Sequence, residues 1–142
     1  MTAQPTALGL RITLPGDFAT AVDTVRSALA EQGFGVLTEI DVQRTLHDKV
    51  GAEMEPYLIL GVCNPALAHR ALDVDRSIGL MLPCTVVVRA GDDGVVVEVQ
   101  DPQLMATVTG LADLTPIADE ARRRLRAVTD RLAATTEPAG RR

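Results

Sequence analysis

Apolar and polar positions change period repeatedly along this chain, and each change marks an element. Leu10-Arg11-Ile12-Thr13-Leu14 alternates as a half-buried strand does, so a strand is predicted over residues 6–14. Pro15-Gly16 breaks it, and Asp17 caps a helix whose Phe18, Val22, Val25 and Leu29 recur at spacings of 4, 3 and 4 on one face. Gly33 closes that helix. Phe34 to Ile40 reads as a second strand, with Phe34, Val36, Thr38 and Ile40 on one side and Gly35, Leu37 and Glu39 on the other. Asp41 then caps a short helix from Val42 to Val50, and Gly51 ends it.

Tyr57 to Val62 is apolar at nearly every position, the pattern of a central strand buried on both faces. Asn64-Pro65 joins a favoured N-cap to proline at the first helical position, so a third helix is predicted from Pro65 to about Asp73, with Cys63 at the strand end before it. Thr85 to Arg89 and Val95 to Gln100 are β-branched runs joined by Gly91-Asp92-Asp93-Gly94, a hairpin with a turn of about four residues. Asp101 to Leu114 carries no clear period. Thr115-Pro116 opens a long helix with Ile117, Ala121, Leu125, Val128 and Leu132 in a stripe. The order is β-α-β-α-β-α-β-β-α, an α+β or α/β two-layer sandwich with a mixed sheet of roughly five strands. Residues 1–133 form one domain, and residues 134–142 are expected to be a disordered tail.

Length agrees with a single domain, since 142 residues support one hydrophobic core without disulfides or metal. Phe18, Phe34 and Tyr57 are the only aromatics, which leaves little to stack on bases or sugars. The net charge of −5 is uneven: residues 1–121 carry seven Lys and Arg against seventeen Asp and Glu, and residues 122–142 carry seven against two. Arg122, Arg123, Arg124, Arg126 and Arg131 are therefore read as a solvated helix face, because the acidic body would repel a long polyanion and no nucleic-acid partner is expected. No apolar run approaches the roughly 18 residues of a membrane span, and no signal-peptide pattern stands at the N-terminus. The expectation is a cytoplasmic protein without a membrane partner, with reduced cysteines.

Three segments carry a family resemblance: Gly33-Phe34-Gly35-Val36-Leu37-Thr38-Glu39-Ile40-Asp41-Val42, Leu60-Gly61-Val62-Cys63-Asn64-Pro65 and Leu80-Met81-Leu82-Pro83-Cys84. With Thr45-Leu46, Lys49, Gly51 and Asp101-Pro102, they closely resemble a prokaryotic family known as domain of unknown function 302, over nearly the whole chain. The resemblance implies a compact α/β fold that commonly forms homodimers, without an established activity. Cys63, Asn64, Pro65, Pro83 and Cys84 fall on the family's motifs, as do Glu39, Asp41 and Lys49; Thr85 departs from them, standing where asparagine is expected.

The candidate ligand-binding residues are accordingly Cys63, Asn64, Cys84, Lys49, Glu39 and Asp41. A thiol beside a helix N-terminus can have its pKa lowered, and Cys63 has that placement. With Cys84 it allows a redox pair, a sulfur carrier, a soft-metal site or two ordinary buried thiols. A metal site is not expected, because there is no C-x-x-C spacing and His47 and His69 lie on different helices. Asp41 reads as a cap and Lys49 as a solvated side chain, able to pair with Glu39 or a ligand anion. No phosphate loop or Ser/His/Asp arrangement is present, no cofactor is implied, and an enzymatic role is not favoured. Two functions remain: a homodimeric binding or accessory module with a cleft near Cys63, Cys84 and Lys49 for a small molecule or protein, or a thiol-based protein using Cys63 and Cys84.

Overall fold

In a computed structural model that describes residues 2–135, the elements follow the order β1 (Gln4–Pro5), β2 (Gly9–Leu14), α1 (Phe18–Glu31), β3 (Gly35–Asp41), α2 (Val42–Val50), β4 (Tyr57–Cys63), α3 (Pro65–Val74), β5 (Cys84–Gly91), β6 (Gly94–Gln100), α4 (Gln103–Thr109) and α5 (Thr115–Thr135). Short 3-10 segments lie at Arg76–Met81 and Ala112–Leu114. The helix starts follow the capping chemistry: the Asp17 carboxylate accepts from Thr20 N–H, Asp41 from Arg44 N–H and Asn64 Oδ1 from Leu67 N–H. Gly51 ends α2 at a φ of 68°, a left-handed conformation that glycine adopts without strain. Helix α5 continues through Ala134 and Thr135, two residues into the expected tail; residues 136–142 lie outside the described residues.

The strands form one sheet in the order β1-β2-β6-β5-β4-β3. Every pairing is antiparallel, where a mixed sheet of five strands was expected. The β-α-β spacing of β2, α1 and β3 suggests parallel neighbours, but the β4-β5-β6 meander separates those two strands. The sixth strand, β1, has only two residues and is too short to show a period.

Helices cover one face of this sheet. Ile12, Leu14, Leu60, Val62, Val86, Val88, Val95, Val97 and Val99 pack there against Val25 and Leu29 of α1 and Leu125, Val128 and Leu132 of α5. Each of these side chains removes apolar surface from water worth about 1.5–3 kcal/mol. A second cluster joins Leu67 and Ala71 of α3 to Ile78, Leu114, Ile117 and Ala121. Arg122 and Arg131 of α5 pair with Asp101 and Glu31 of the acidic body, and Arg124 pairs with Glu120 within α5. The opposite, outer face keeps Tyr57, Ile59, Val87, Arg89, Glu98 and Gln100 half-exposed. Strand β4 is therefore covered on one side only, and its unbroken apolar run does not mark a doubly buried centre.

Strand β3 corrects a second expectation. A register shift between Val36 and Thr38 leaves Leu37 as a bulge residue, which reverses the alternation partway along the strand. Val36 packs on the core while Thr38 and Ile40 pair with Gly61 and Ile59 on the outer face. Glu39 is turned to the helical side, where its carboxylate meets Arg26 of α1 at 3.1 Å.

Two consequences for stability follow. A Cβ on Gly61 would lie 2.6 Å from Thr38 Cγ2 and 2.9 Å from Pro83 Cγ, whereas one on Gly35 would meet nothing within 4 Å. Gly61→Ala should lower unfolding free energy by about 1–3 kcal/mol in urea titrations, with a clearly smaller effect for Gly35→Ala. Glu120 is held below the ordinary carboxylate pKa, chiefly by its hydrogen bond from Arg70, with Arg124 adding to it. A depressed folded pKa stabilises above the unfolded value, and the contribution is lost as pH falls through the folded one. The gap in urea midpoint between the native protein and Glu120→Gln should be present at neutral pH and close in acid.

Candidate functional site

Cys63 ends β4 and Cys84 begins the adjacent β5, where Cys84 stands opposite Val62 in the register. Alternation of side chains along strands sends neighbouring register positions to opposite sides of the sheet, yet both cysteines border one small cavity. Its walls include Asn64, Leu67, Leu82 and Met105, so the cavity sits where α3, α4 and α5 meet the strand ends. The sequence thus locates Cys63, Asn64 and Cys84 together. It does not do so for the rest: Glu39 pairs with Arg26, Asp41 caps α2 from the end of β3, and Lys49 is exposed in the last turn of α2. None of these three lines the cysteine cavity.

Asn64 ties three helices. Besides capping α3, its Nδ2 donates to the Gln32 carbonyl at 3.5 Å, and Arg124 Nη1 donates to the same oxygen at 3.2 Å. A guanidinium at the end of α1 also meets the negative end of that helix's dipole.

Burial decides the thiol chemistry here. It raises the Cys63 pKa above its ordinary value, against the expectation from the α3 N-terminus. The start of that helix has little to offer a thiolate: Pro65 has no N–H, and the N–H of Leu67 is taken by Asn64. Cys84 is pushed up to about 11, first by burial and then by the neighbouring Cys63. Both thiols are free, and among the described residues no cluster of three or more His, Cys, Asp and Glu is placed to hold a metal. His47 and His69 are exposed and face Asp48, Glu53 and Asp73.

The cysteine cavity measures about 40 Å³, enough for a water or a methyl group and well short of a small-molecule site. A larger concavity of about 300 Å³ lies on the outer face of the sheet, bordered by Leu8, Tyr57, Val87, Glu98, Gln100 and Leu104. That volume reaches the lower end of the range for ligand pockets. Glu98 is gripped from both neighbouring strands: Arg11 Nε and Nη2 donate to its Oε2 at 3.3 and 3.1 Å, and Arg89 Nε and Nη2 donate to its Oε1 at 3.2 and 3.1 Å. Gln100 Oε1 accepts from the Thr85 backbone N–H at 2.9 Å. The signal for this groove is present in the chain, since Glu98 and Gln100 alternate with Val97 and Val99 in an otherwise apolar strand.

At pH about 8, a thiol whose pKa lies near 11 has about a hundredth of the thiolate of one near 9. Iodoacetamide should therefore label Cys84 in the native protein about a hundredfold more slowly than in the urea-unfolded chain, as read by mass spectrometry with Cys63→Ser as background. Equal rates in the two states would refute the buried-thiol account.

Comparison with curated proteins finds no match. Among solved structures, the fold is similar to the crystal structure of an uncharacterized conserved protein DUF302 from Bacillus stearothermophilus, at 27% identity and a TM-score of 0.82, covering 89% of this chain and 99% of that one. Residues 10–132, from the second residue of β2 to the buried Leu132 of α5, match the family model for the domain of unknown function DUF302. The chain belongs to the DUF302 family.

Proposed function

We propose that this domain is a binding or accessory module that works as a pair of identical copies, with the outer face of the sheet and the adjoining corner as its working surface. The observation that carries this reading is where the apolar surface is exposed. Among the described residues seven large apolar side chains are exposed, and four of them, Leu37, Ile40, Leu46 and Val50, belong to β3 and α2. Ile40 opens the row Ile40, Ile59 and Val87, whose members face one another in register across three strands.

An edge strand with exposed apolar side chains is a site for pairing with another chain. Helix α2 has no buried residue: Leu46 and Val50 are exposed and Val42 is only half-covered. A two-fold arrangement places the same patch on both partners and covers both at once. The raised pKa of both thiols favours this module over thiol chemistry, because neither sulfur has its thiolate stabilised.

Native mass spectrometry should give a dimer for the unmodified protein and a monomer for the double variant Ile40→Lys, Val50→Lys. The far-UV circular dichroism of that variant should be unchanged, since both positions are exposed. A monomer at every concentration, or a dimer that survives the double substitution, would remove this surface as the pairing site.

A further inference from the structure

We propose that the arginine face of α5, with the crevice beside it, binds a phosphate group, carried free or on a small soluble molecule. This site is independent of the pairing surface, since the crevice lies at the β1-β2-β6 side of the sheet and the apolar patch at the β3 edge.

Arg122, Arg123 and Arg126 follow Asp119 by three, four and seven positions, so the four share one face of α5. They border an open shelf of about 390 Å³. Arg122 and Arg126 also border a crevice of about 150 Å³ between α5, the β1-β2 hairpin and the end of β6. What sets these arginines apart is how little they are paired. Among the described residues Arg123 and Arg126 have no ion pair and no side-chain hydrogen bond, whereas Arg124 and Arg131 of the same helix each meet a carboxylate. Arg122 approaches Asp101 Oδ2 at 3.6 Å, beyond hydrogen-bond reach.

Both carboxylates at the rim are held by the start of α4. The Gln103 backbone N–H donates to Asp101 Oδ1 at 2.9 Å, and Gln103 Nε2 donates to Asp119 Oδ1. Three guanidinium groups are therefore left with one long ion pair among them, and the local balance of three cations against two carboxylates is positive in a protein of net charge −5. The acidic remainder repels a long polyanion, but screening within about 8 Å leaves a small anion on this face under the influence mainly of the arginines.

The two unpartnered guanidinium groups select phosphate over carboxylate. A carboxylate presents one edge of two oxygens and fills one guanidinium fork, while a phosphate group has oxygens enough for two. Leu10, Val99 and Leu125 give the crevice an apolar wall. Its volume is half the roughly 300 Å³ at which ordinary ligand pockets begin, which limits whatever carries the phosphate to a few carbons.

The test is a titration of backbone amide and arginine Nε–H shifts on the full chain with inorganic phosphate, methyl phosphate and acetate, at an ionic strength held constant with sodium chloride. Both phosphates should bind saturably and about tenfold or more tighter than acetate, with shifts centred on Arg122, Arg123 and Arg126. The double variant Arg123→Gln, Arg126→Gln should weaken both phosphates about tenfold or more with unchanged far-UV circular dichroism, since both side chains are exposed. Arg131→Gln removes a charge from the α1 side of the same helix and should change the affinity by about twofold at most, which separates a site from a general loss of positive charge. Vesicles of phosphatidylcholine with phosphatidic acid should not carry the protein in flotation; flotation without methyl phosphate binding would give this face to a membrane and overturn the proposal. Phosphate binding no tighter than acetate, shifts spread over arginines outside this face, unchanged affinity in the double variant, or an equal loss in Arg131→Gln would overturn it as well. The shift map of the unmodified chain decides the outcome if the double variant does not fold.

Discussion

A six-stranded antiparallel sheet covered by helices on one side only is the constraint on which the rest of this molecule depends. The chain carries two long helices that reach the strands, α1 and α5, and both lie on the same face. Alternate residues of β2 and β5 are thereby sealed, and their neighbours in sequence are turned to the other side. That other side cannot be as apolar as the core without inviting association, and it is not: an Arg-Glu-Arg cluster and Gln100 occupy the β2 and β6 half. The β3 and β4 half stays apolar, so the two halves of the outer face differ in chemistry.

Much of this was legible in the residues where one physical rule acted alone. The α2 limits follow from Asp41 and Gly51, the start of α3 from Asn64-Pro65, and the α5 stripe from a period that nothing interrupts. Legibility failed where a tertiary choice overrode a local pattern. Nothing local in Val36-Leu37-Thr38 announces the bulge, which arises from pairing with β4, so the sides of Glu39 and Ile40 were exchanged beyond it. Strand β4 misled for a related reason: an apolar run is the same string whether its second face is packed under helices or left half-exposed. Segment Asp101 to Leu114 showed no period because α4 has no buried residue to set one.

The cysteines show that placement beside a helix does not by itself make a thiol reactive. Sequence put Cys63 before a helix and Cys84 near it, and the strands do bring them to one cavity. Whether a thiol beside a helix becomes reactive depends on free N–H donors outweighing the loss of water. Here the first helical position is proline, the side chain of Asn64 claims a donor, and the walls are largely apolar. The residues that make α3 a well-capped helix are the ones that deprive the sulfur of stabilisation. Cys84, partly buried against the main core, behaves there as a small apolar side chain.

The same competition bears on why the outer face is the better place to look for function. A core position is committed by packing, since filling or emptying it costs stability, and the cavity by the cysteines is little more than a packing gap. Positions on the outer face carry no such commitment: Arg11, Arg89, Glu98 and Gln100 bury no helix and support no cap. Fold stability would be served as well by any residues that suit a half-exposed strand there. That this surface instead spends two arginines on one carboxylate, within an acidic protein, is a choice that packing does not explain.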